Sequence, residues 1–152
     1  MKSIFILFTL SIFFSVHAVG QAKKPPAKAA AKPKPGVPVP TSVAGGARGK
    51  AVYLEYCVAC HQADGAGVAD LNPPVIKSPY ILGEKSRLIS VILKGMQNVE
   101  IDGKSYSHLM PPHIVLTDQQ IADVLTYVRA NFTNKASMVS PAEVKAVRAK
   151  TK

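Results

Sequence analysis

Apolar residues recur at helical spacing in the later part of the chain. One such segment begins at Thr117, which can form a T-x-x-Q capping box with Gln120. The four apolar positions that follow have the i, i+3, i+4, i+7 spacing of one helix face and are Ile121, Val124, Leu125 and Val128. This pattern predicts an amphipathic helix with one buried side.

Two earlier segments also predict helices. The first has four apolar residues at helical spacing, and Gly95 is suited to end it. These four residues are Leu88, Ile89, Ile92 and Leu93. A shorter helix is expected to bury Val52, Tyr53 and Tyr56. No run alternates with period two, so we predict an all-α fold without a sheet.

A second capping box lies close to the C-terminus. Ser140 and Glu143 can open a short basic helix that continues through Lys150. Since this segment is rich in charge, we expect it to pack loosely. The predicted folded domain is therefore residues 42–134, and residues 135–152 form a basic C-terminal tail.

Residues 1–22 have the organisation of a secretory signal peptide. Lys2 precedes an apolar run over residues 4–16, and small residues follow that end at Ala18 or Ala22. The run is shorter than the roughly 20 apolar residues that cross a bilayer. We expect a periplasmic or otherwise exported protein. The alternative is an uncleaved N-terminal anchor, with the chain facing the periplasm.

A linker rich in Lys, Ala and Pro occupies residues 23–41. Proline fixes φ and lacks a backbone donor, so this tract favours extended polyproline II. It is either a solvated spacer or a tether that makes peripheral contact with anionic lipid headgroups or an acidic partner.

The charge is divided unevenly along the chain. The net charge of +10 comes from the two ends, because residues 42–134 carry eight basic and eight acidic residues. A nucleic-acid-binding domain would display its basic patch on the folded part. We therefore expect no nucleic-acid partner, and we expect a monomer.

The central chemical motif is C-x-x-C-H, formed by Cys57, Cys60 and His61. This spacing is the attachment motif for c-type haem. One turn of chain presents two thiols to the two vinyl groups, with which they form thioethers. The imidazole of the next residue can then bind the iron.

Three other interpretations of the cysteines stay open at this point. They could form a redox-active C-x-x-C pair, although the helical pattern around them lacks the βαβ context of thioredoxins. They could also form a simple disulfide. A zinc site is the third possibility, with the ligands Cys57, Cys60, His108 and His113.

A haem iron that transfers single electrons needs a second axial ligand, and Met is a common one. Apart from Met1, the candidate methionines are Met96, Met110 and Met138. Two prolines directly follow Met110 and stiffen its loop, whereas Met96 follows a predicted helix and Met138 lies in the basic tail. Met110 is therefore the favoured ligand.

With these motifs in place, residues 45–134 resemble a class I c-type cytochrome of the single-haem bacterial type. The resemblance includes "NPPV" at 72–75, "DGKSYSHLMPP" at 102–112 and "LTDQQIADVLTYVRANF" at 116–132. It implies a small all-α cytochrome c fold in which about three to five helices surround one covalently bound haem c.

The resemblance also implies the roles of individual residues. Cys57 and Cys60 would attach the haem, and His61 and Met110 would be its axial iron ligands. The carbonyl of Pro73 would hold the other nitrogen of His61. The family has small or Asn-like residues before the methionine, whereas this chain has a histidine at position 108 that could compete for the iron.

The expected function is that of an exported mono-haem cytochrome c, which carries single electrons between periplasmic redox proteins and is not itself an enzyme. The alternative is a haem c subunit of a larger periplasmic dehydrogenase, nitrite reductase or oxidase complex. A ligand sensor is a third possibility, and it would require Met110 to leave the iron.

Overall fold

The computed structural model describes residues 41–151, with side chains from residue 46 onward. The predicted signal peptide and the predicted linker up to residue 40 lie outside the described residues. Thr41, which was assigned to the linker, is the first residue of a helix.

The described part of the chain is mostly helical. Its elements in order are α1 (Thr41–Tyr56), α2 (Val58–His61), α3 (Pro79–Leu82), α4 (Lys85–Lys94), β1 (Val99–Ile101), β2 (Lys104–Tyr106), α5 (Asp118–Ala130) and α6 (Pro141–Ala149). Four of these helices are longer than one turn, and α2 and α3 are single turns. The all-α cytochrome-like fold class is confirmed, since the strands are only three residues each.

The packing of α1 against α5 depends on a glycine. A Cβ at Gly49 would overlap the backbone carbonyl of Asp123 and approach the Cβ of Tyr127 at 2.7 Å, so the two helices touch directly at this point. Beside this contact, Arg48 donates to both carboxylate oxygens of Asp123 at 2.7 and 3.1 Å. The absence of a side chain at Gly49 and the ion pair of Arg48 with Asp123 thus both hold α1 against α5.

The predicted buried faces of α4 and α5 are confirmed. All eight apolar positions expected on these faces are buried in the common core. The capping box of Thr117 and Gln120 is present at the start of α5. Gly95 ends α4 with φ +73°, a left-handed conformation that favours glycine.

The helix predicted before the C-x-x-C-H motif is longer than expected and buries fewer of the predicted residues. Val52 and Tyr53 are buried, but Tyr56 is 36% exposed. Tyr56 is the last residue of α1, where the chain turns away from α5 into α2. Its ring instead meets the ring of His113 edge-on, with the centroids 6.2 Å apart.

The expectation that the fold has no sheet is wrong. Strands β1 and β2 form an antiparallel hairpin in which Val99 faces Tyr106. Asp102 and Gly103 form its turn, with φ values of +54° and +75°. An Asp-Gly pair with both φ positive matches the twist of a two-residue hairpin, and this local signal outweighs the weak alternation in such short strands.

The expectation that the C-terminal helix packs loosely is also wrong. Helix α6 starts at the predicted capping box and packs on α4 and α5, and the side chain of Val144 is completely buried. Lys85 of α4 forms an ion pair with Glu143 at 2.9 Å. Apolar residues on one face of this basic segment account for its packing.

None of the helices within residues 41–151 combines the length and the apolar character that a membrane span requires.

Candidate haem-binding site

The C-x-x-C-H motif lies at the junction of α1 and α2. The amide of Cys57 donates to the carbonyl of Tyr53 at 2.9 Å, and the amide of His61 donates to the carbonyl of Cys57 at 2.9 Å. Tyr53 also donates its hydroxyl to the carbonyl of Gln62 at 2.7 Å, which ties the end of α2 to the core. One turn of backbone thus presents both cysteines and the histidine.

The two cysteines are free, half-buried thiols. Burial, followed by the nearby Cys60, raises the pKa of the Cys57 thiol to about 11. Redox-active C-x-x-C pairs instead have a lowered thiol pKa. The structure therefore supports neither the disulfide nor the redox-pair interpretation.

His61 is held in a defined orientation. Its Nδ1 donates to the carbonyl of Pro73 at 2.9 Å, which leaves Nε2 available as a metal ligand. Burial lowers the pKa of His61, and the neutral imidazole is the form that binds a metal. The contact that the resemblance implied for Pro73 is present in the structure.

A tight loop brings Pro73 to this position. Gly67 donates its amide to the carbonyl of His61 at 3.0 Å and has φ +68°. A Cβ at Gly67 would overlap the carbonyl oxygen of Asn72 and lie 2.7 Å from that of Pro73. Because only glycine leaves room here, the loop can fold back over the histidine.

Met110 reaches the site from the other end of the domain. It exchanges two backbone hydrogen bonds with Met96, at 2.8 and 3.0 Å. After the two prolines, the amide of His113 donates to the carbonyl of Ile92 at 2.8 Å. These bonds hold the segment between β2 and α5, residues 107–117, against the end of α4. We call this segment the methionine loop.

Two cavities, of about 660 and 620 Å³, share the residues that the sequence singled out. Both cavities are lined by Cys57, His61, Pro73, Met96 and Met110. Aliphatic side chains from α4 and α5 line the larger one. An apolar wall with thiol, imidazole and thioether groups fits a covalently attached haem.

The structure does not support the zinc interpretation. Within the described residues, no three His, Cys, Asp or Glu side chains are placed to hold a metal ion together. His108 is exposed and His113 is half-buried, and both line the smaller cavity. Burial lowers the pKa of His113.

Sequence reasoning set Met96 aside because it follows a predicted helix, and so missed its place at the site. In the structure Met96 lines both cavities beside Met110. The available signal was its position directly after Gly95, where the chain leaves α4 and turns towards the methionine loop.

Comparison with known proteins agrees with this site. A family model for cytochrome c matches residues 46–132. Cytochrome c-552 of Thermus thermophilus is 32% identical over 114 residues, which cover 68% of this chain and 86% of that protein.

Larger proteins also contain a similar segment. The cytochrome c subunit of a quinone alcohol dehydrogenase from Gluconacetobacter polyoxogenes is 34% identical over 103 residues, 66% of this chain and 22% of that subunit. The gluconate 2-dehydrogenase cytochrome c subunit of Pantoea cypripedii is 34% identical over 91 residues, 58% of this chain and 21% of that subunit. The chain spans about a fifth of the length of these subunits.

The chain belongs to the cytochrome c family, because the family model covers more than half of its length. The expected cofactor, a single covalently bound haem c, is confirmed by this membership. Membership of this family also confirms the expected role in electron transfer rather than in catalysis.

Proposed function

We propose that this cytochrome c is exported and carries single electrons between redox proteins of the periplasm. This proposal rests on one observation, that Cys57, His61 and Met110 line the same largely apolar cavity. Met110 comes from a distant part of the chain and meets the C-x-x-C-H motif here, and together these side chains are groups that can attach a haem and bind its iron on both sides.

Cys57 and Cys60 are the proposed attachment points. Their thiols would hold a haem through thioethers to its two vinyl groups. When bound, the haem c would supply a one-electron Fe(III)/Fe(II) couple.

His61 and Met110 are the proposed axial ligands. The hydrogen bond from His61 to Pro73 fixes the plane of the imidazole and makes Nε2 a better donor. The thioether of Met110 is a soft, neutral donor that raises the reduction potential relative to a second nitrogen ligand. An iron held by both of these side chains would be suited to electron transfer rather than to substrate binding.

Extraction with acidified acetone tests the attachment. We expect the colour to stay with the purified chain, and we expect Cys57→Ser with Cys60→Ser to release it, since non-covalent haem dissolves in acetone. Release of the colour from the parent protein would contradict the assignment.

A second candidate function is that of a haem c subunit in a larger dehydrogenase complex. It is favoured by the cytochrome c subunits of alcohol and gluconate dehydrogenases among the relatives. Purification at native expression level separates the two functions, because a subunit would elute together with the catalytic chain of a dehydrogenase. A free carrier would elute alone at its monomer mass.

Export also forms part of the proposal. Residues 1–22 would act as a signal peptide and residues 23–40 as a linker, and the cytochrome domain would begin with α1 at Thr41 and include α6. The mass of the mature protein tests this, because cleavage after Ala18 or Ala22 removes a defined length. A mature chain that retains these residues in the membrane fraction would instead indicate the N-terminal anchor.

A further inference from the structure

Helix α6 lies beyond residues 46–132, which the family model covers, yet it contacts the methionine loop. Arg148 makes this contact. Its Nη2 donates to the carbonyl of Leu116 at 2.6 Å, and its Nη1 donates to the carbonyl of Ile114 at 3.3 Å. Its Nε forms an ion pair with Asp118, the first residue of α5, at 2.7 Å.

The segment that Arg148 holds has few other attachments. His113 donates to the end of α4, and the side chain of Leu116 is buried in the core. Between them, the side chains of Ile114 and Val115 are 64% and 77% exposed, so they do not anchor the backbone. The backbone bond from Leu116 to the carbonyl of His113, at 3.1 Å, and the capping box of Thr117 and Gln120 hold this junction locally. The guanidinium adds a long-range polar attachment where the loop joins α5.

We propose that Arg148 is a positioning residue that keeps Met110 at the iron. The inference rests on the proposed function, which assigns Met110 as an axial ligand. A neutral thioether leaves ferric iron when its loop moves away, so the lifetime of the bond depends on how firmly the loop is held. A planar guanidinium presents its donors in a rigid fork, so it can hold two carbonyls and a carboxylate in one fixed arrangement, whereas the donors of a lysine ammonium rotate on a flexible stem.

The other explanation is that α6 only stabilises the fold as a whole. The structure offers a matched control for this, because the ion pair of Lys85 and Glu143 joins α6 to α4 and does not touch the methionine loop. Both ion pairs are partly exposed and attach the same helix. Only the pair with Asp118 is connected to the segment that carries Met110.

Cyanide binding to the ferric, full-length holoprotein tests the inference. Cyanide reaches the iron only after the thioether has left, so its binding rate reports loop opening. We expect Arg148→Gln to bind cyanide about tenfold faster, equivalent to about 1.4 kcal/mol. Asp118→Asn should accelerate binding in the same direction but less. Lys85→Gln should leave the rate unchanged, although it lowers the melting temperature.

The charge-transfer band tests the assignment of Met110, and the cyanide-binding rates test the role of Arg148. The parent protein should show the red charge-transfer band of a thioether–Fe(III) bond, and its absence would refute the assignment of Met110 and this inference with it. If the band is present, an unchanged rate in Arg148→Gln would overturn the inference alone. Equal acceleration in Lys85→Gln would also overturn it, because α6 would then act through global stability.

Discussion

At the level of single residues, the two proposed axial ligands are restrained in different ways. His61 lies within a turn whose backbone hydrogen bonds begin in α1, and its ring is fixed by the carbonyl of Pro73. Met110 is held through its backbone, which pairs with Met96. The histidine therefore moves only with the core of the domain, whereas the methionine can leave when one loop opens.

This difference makes Met110 the informative residue to replace. We expect Met110→Ala to abolish the red charge-transfer band of the ferric protein and to lower the reduction potential. The drop should be on the order of 0.1 V or more, within the roughly 0.8 V range that axial ligands span. Visible spectroscopy and a redox titration measure the two effects.

The other methionines provide the controls for this prediction. Met96→Ala keeps the backbone hydrogen bonds to Met110, and Met138 is 47% exposed in the segment before α6. Neither Met96→Ala nor Met138→Ala should abolish the band, and Met138→Ala should also leave the potential unchanged. A band that survives in Met110→Ala would show that another residue binds the iron.

At the level of elements, the crossing of α1 and α5 is sensitive to a single methyl group. Gly49→Ala places a Cβ against the backbone of Asp123, which cannot move without shifting α5. We expect a loss of about 3 kcal/mol in the free energy of unfolding, the upper end of the usual cost of overpacking. Urea titration of the holoprotein measures it.

Gly46 offers a matched control on the same helix. A Cβ at Gly46 would meet no atom within 4 Å. Since alanine favours a helix interior over glycine by about 0.8–1.0 kcal/mol, Gly46→Ala should stabilise the protein slightly. Equal effects of the two substitutions would show that the crossing does not depend on close contact at Gly49.

The attachment of α6 should depend on pH. The backbone amide of Ser140, followed by the ammonium of Lys85, lowers the pKa of Glu143 from 4.5 to about 2. Because the folded-state pKa is the lower one, ionised Glu143 stabilises the fold fully above pH 4.5. This contribution is lost as the pH falls from 4.5 towards 2.

Thermal unfolding against pH checks this prediction. Glu143→Gln keeps an oxygen for the capping box but has no charge, so it should melt below the parent at neutral pH. The difference in melting temperature should shrink as the parent carboxylate is protonated. A constant difference down to pH 2 would mean that the charge of Glu143 contributes nothing to the stability of the fold.

At the level of the whole molecule, the excess positive charge lies at the two ends of the sequence. Residues 1–41 contain six lysines and no acidic residue, and residues 135–152 contain five basic residues and one acidic residue. The predicted domain between them is neutral by count. Any salt-sensitive encounter with an acidic redox partner should therefore depend on these ends.

Removal of residues 23–41 tests the role of the first basic segment. The visible spectrum and the potential should stay unchanged, while electron transfer to an acidic partner should slow at low salt. At physiological salt the effect should fade, because charges are screened beyond a Debye length of about 8 Å. Stopped-flow rates of the full and shortened proteins measure this, and equal rates at low salt would indicate a simple spacer.

The elements that sequence reasoning predicted well are those specified by local chemistry. The capping boxes at Thr117 and Ser140 and the apolar faces of α4 and α5 depend on residues a few positions apart. The hairpin was missed because its strands are too short for period two to be visible, although Asp102 and Gly103 carried a turn signal.

The main helices and the C-x-x-C-H motif could be identified from the sequence alone, because both depend on the spacing of residues a few positions apart. The residue pattern also favoured Met110, but it did not show that Met96 lines the same cavities, nor that Arg148 reaches the loop after Met110. These contacts depend on the packing of the folded chain. They join residues far apart in the chain, and their distances follow from how closely α1 packs on α5 and where α6 docks.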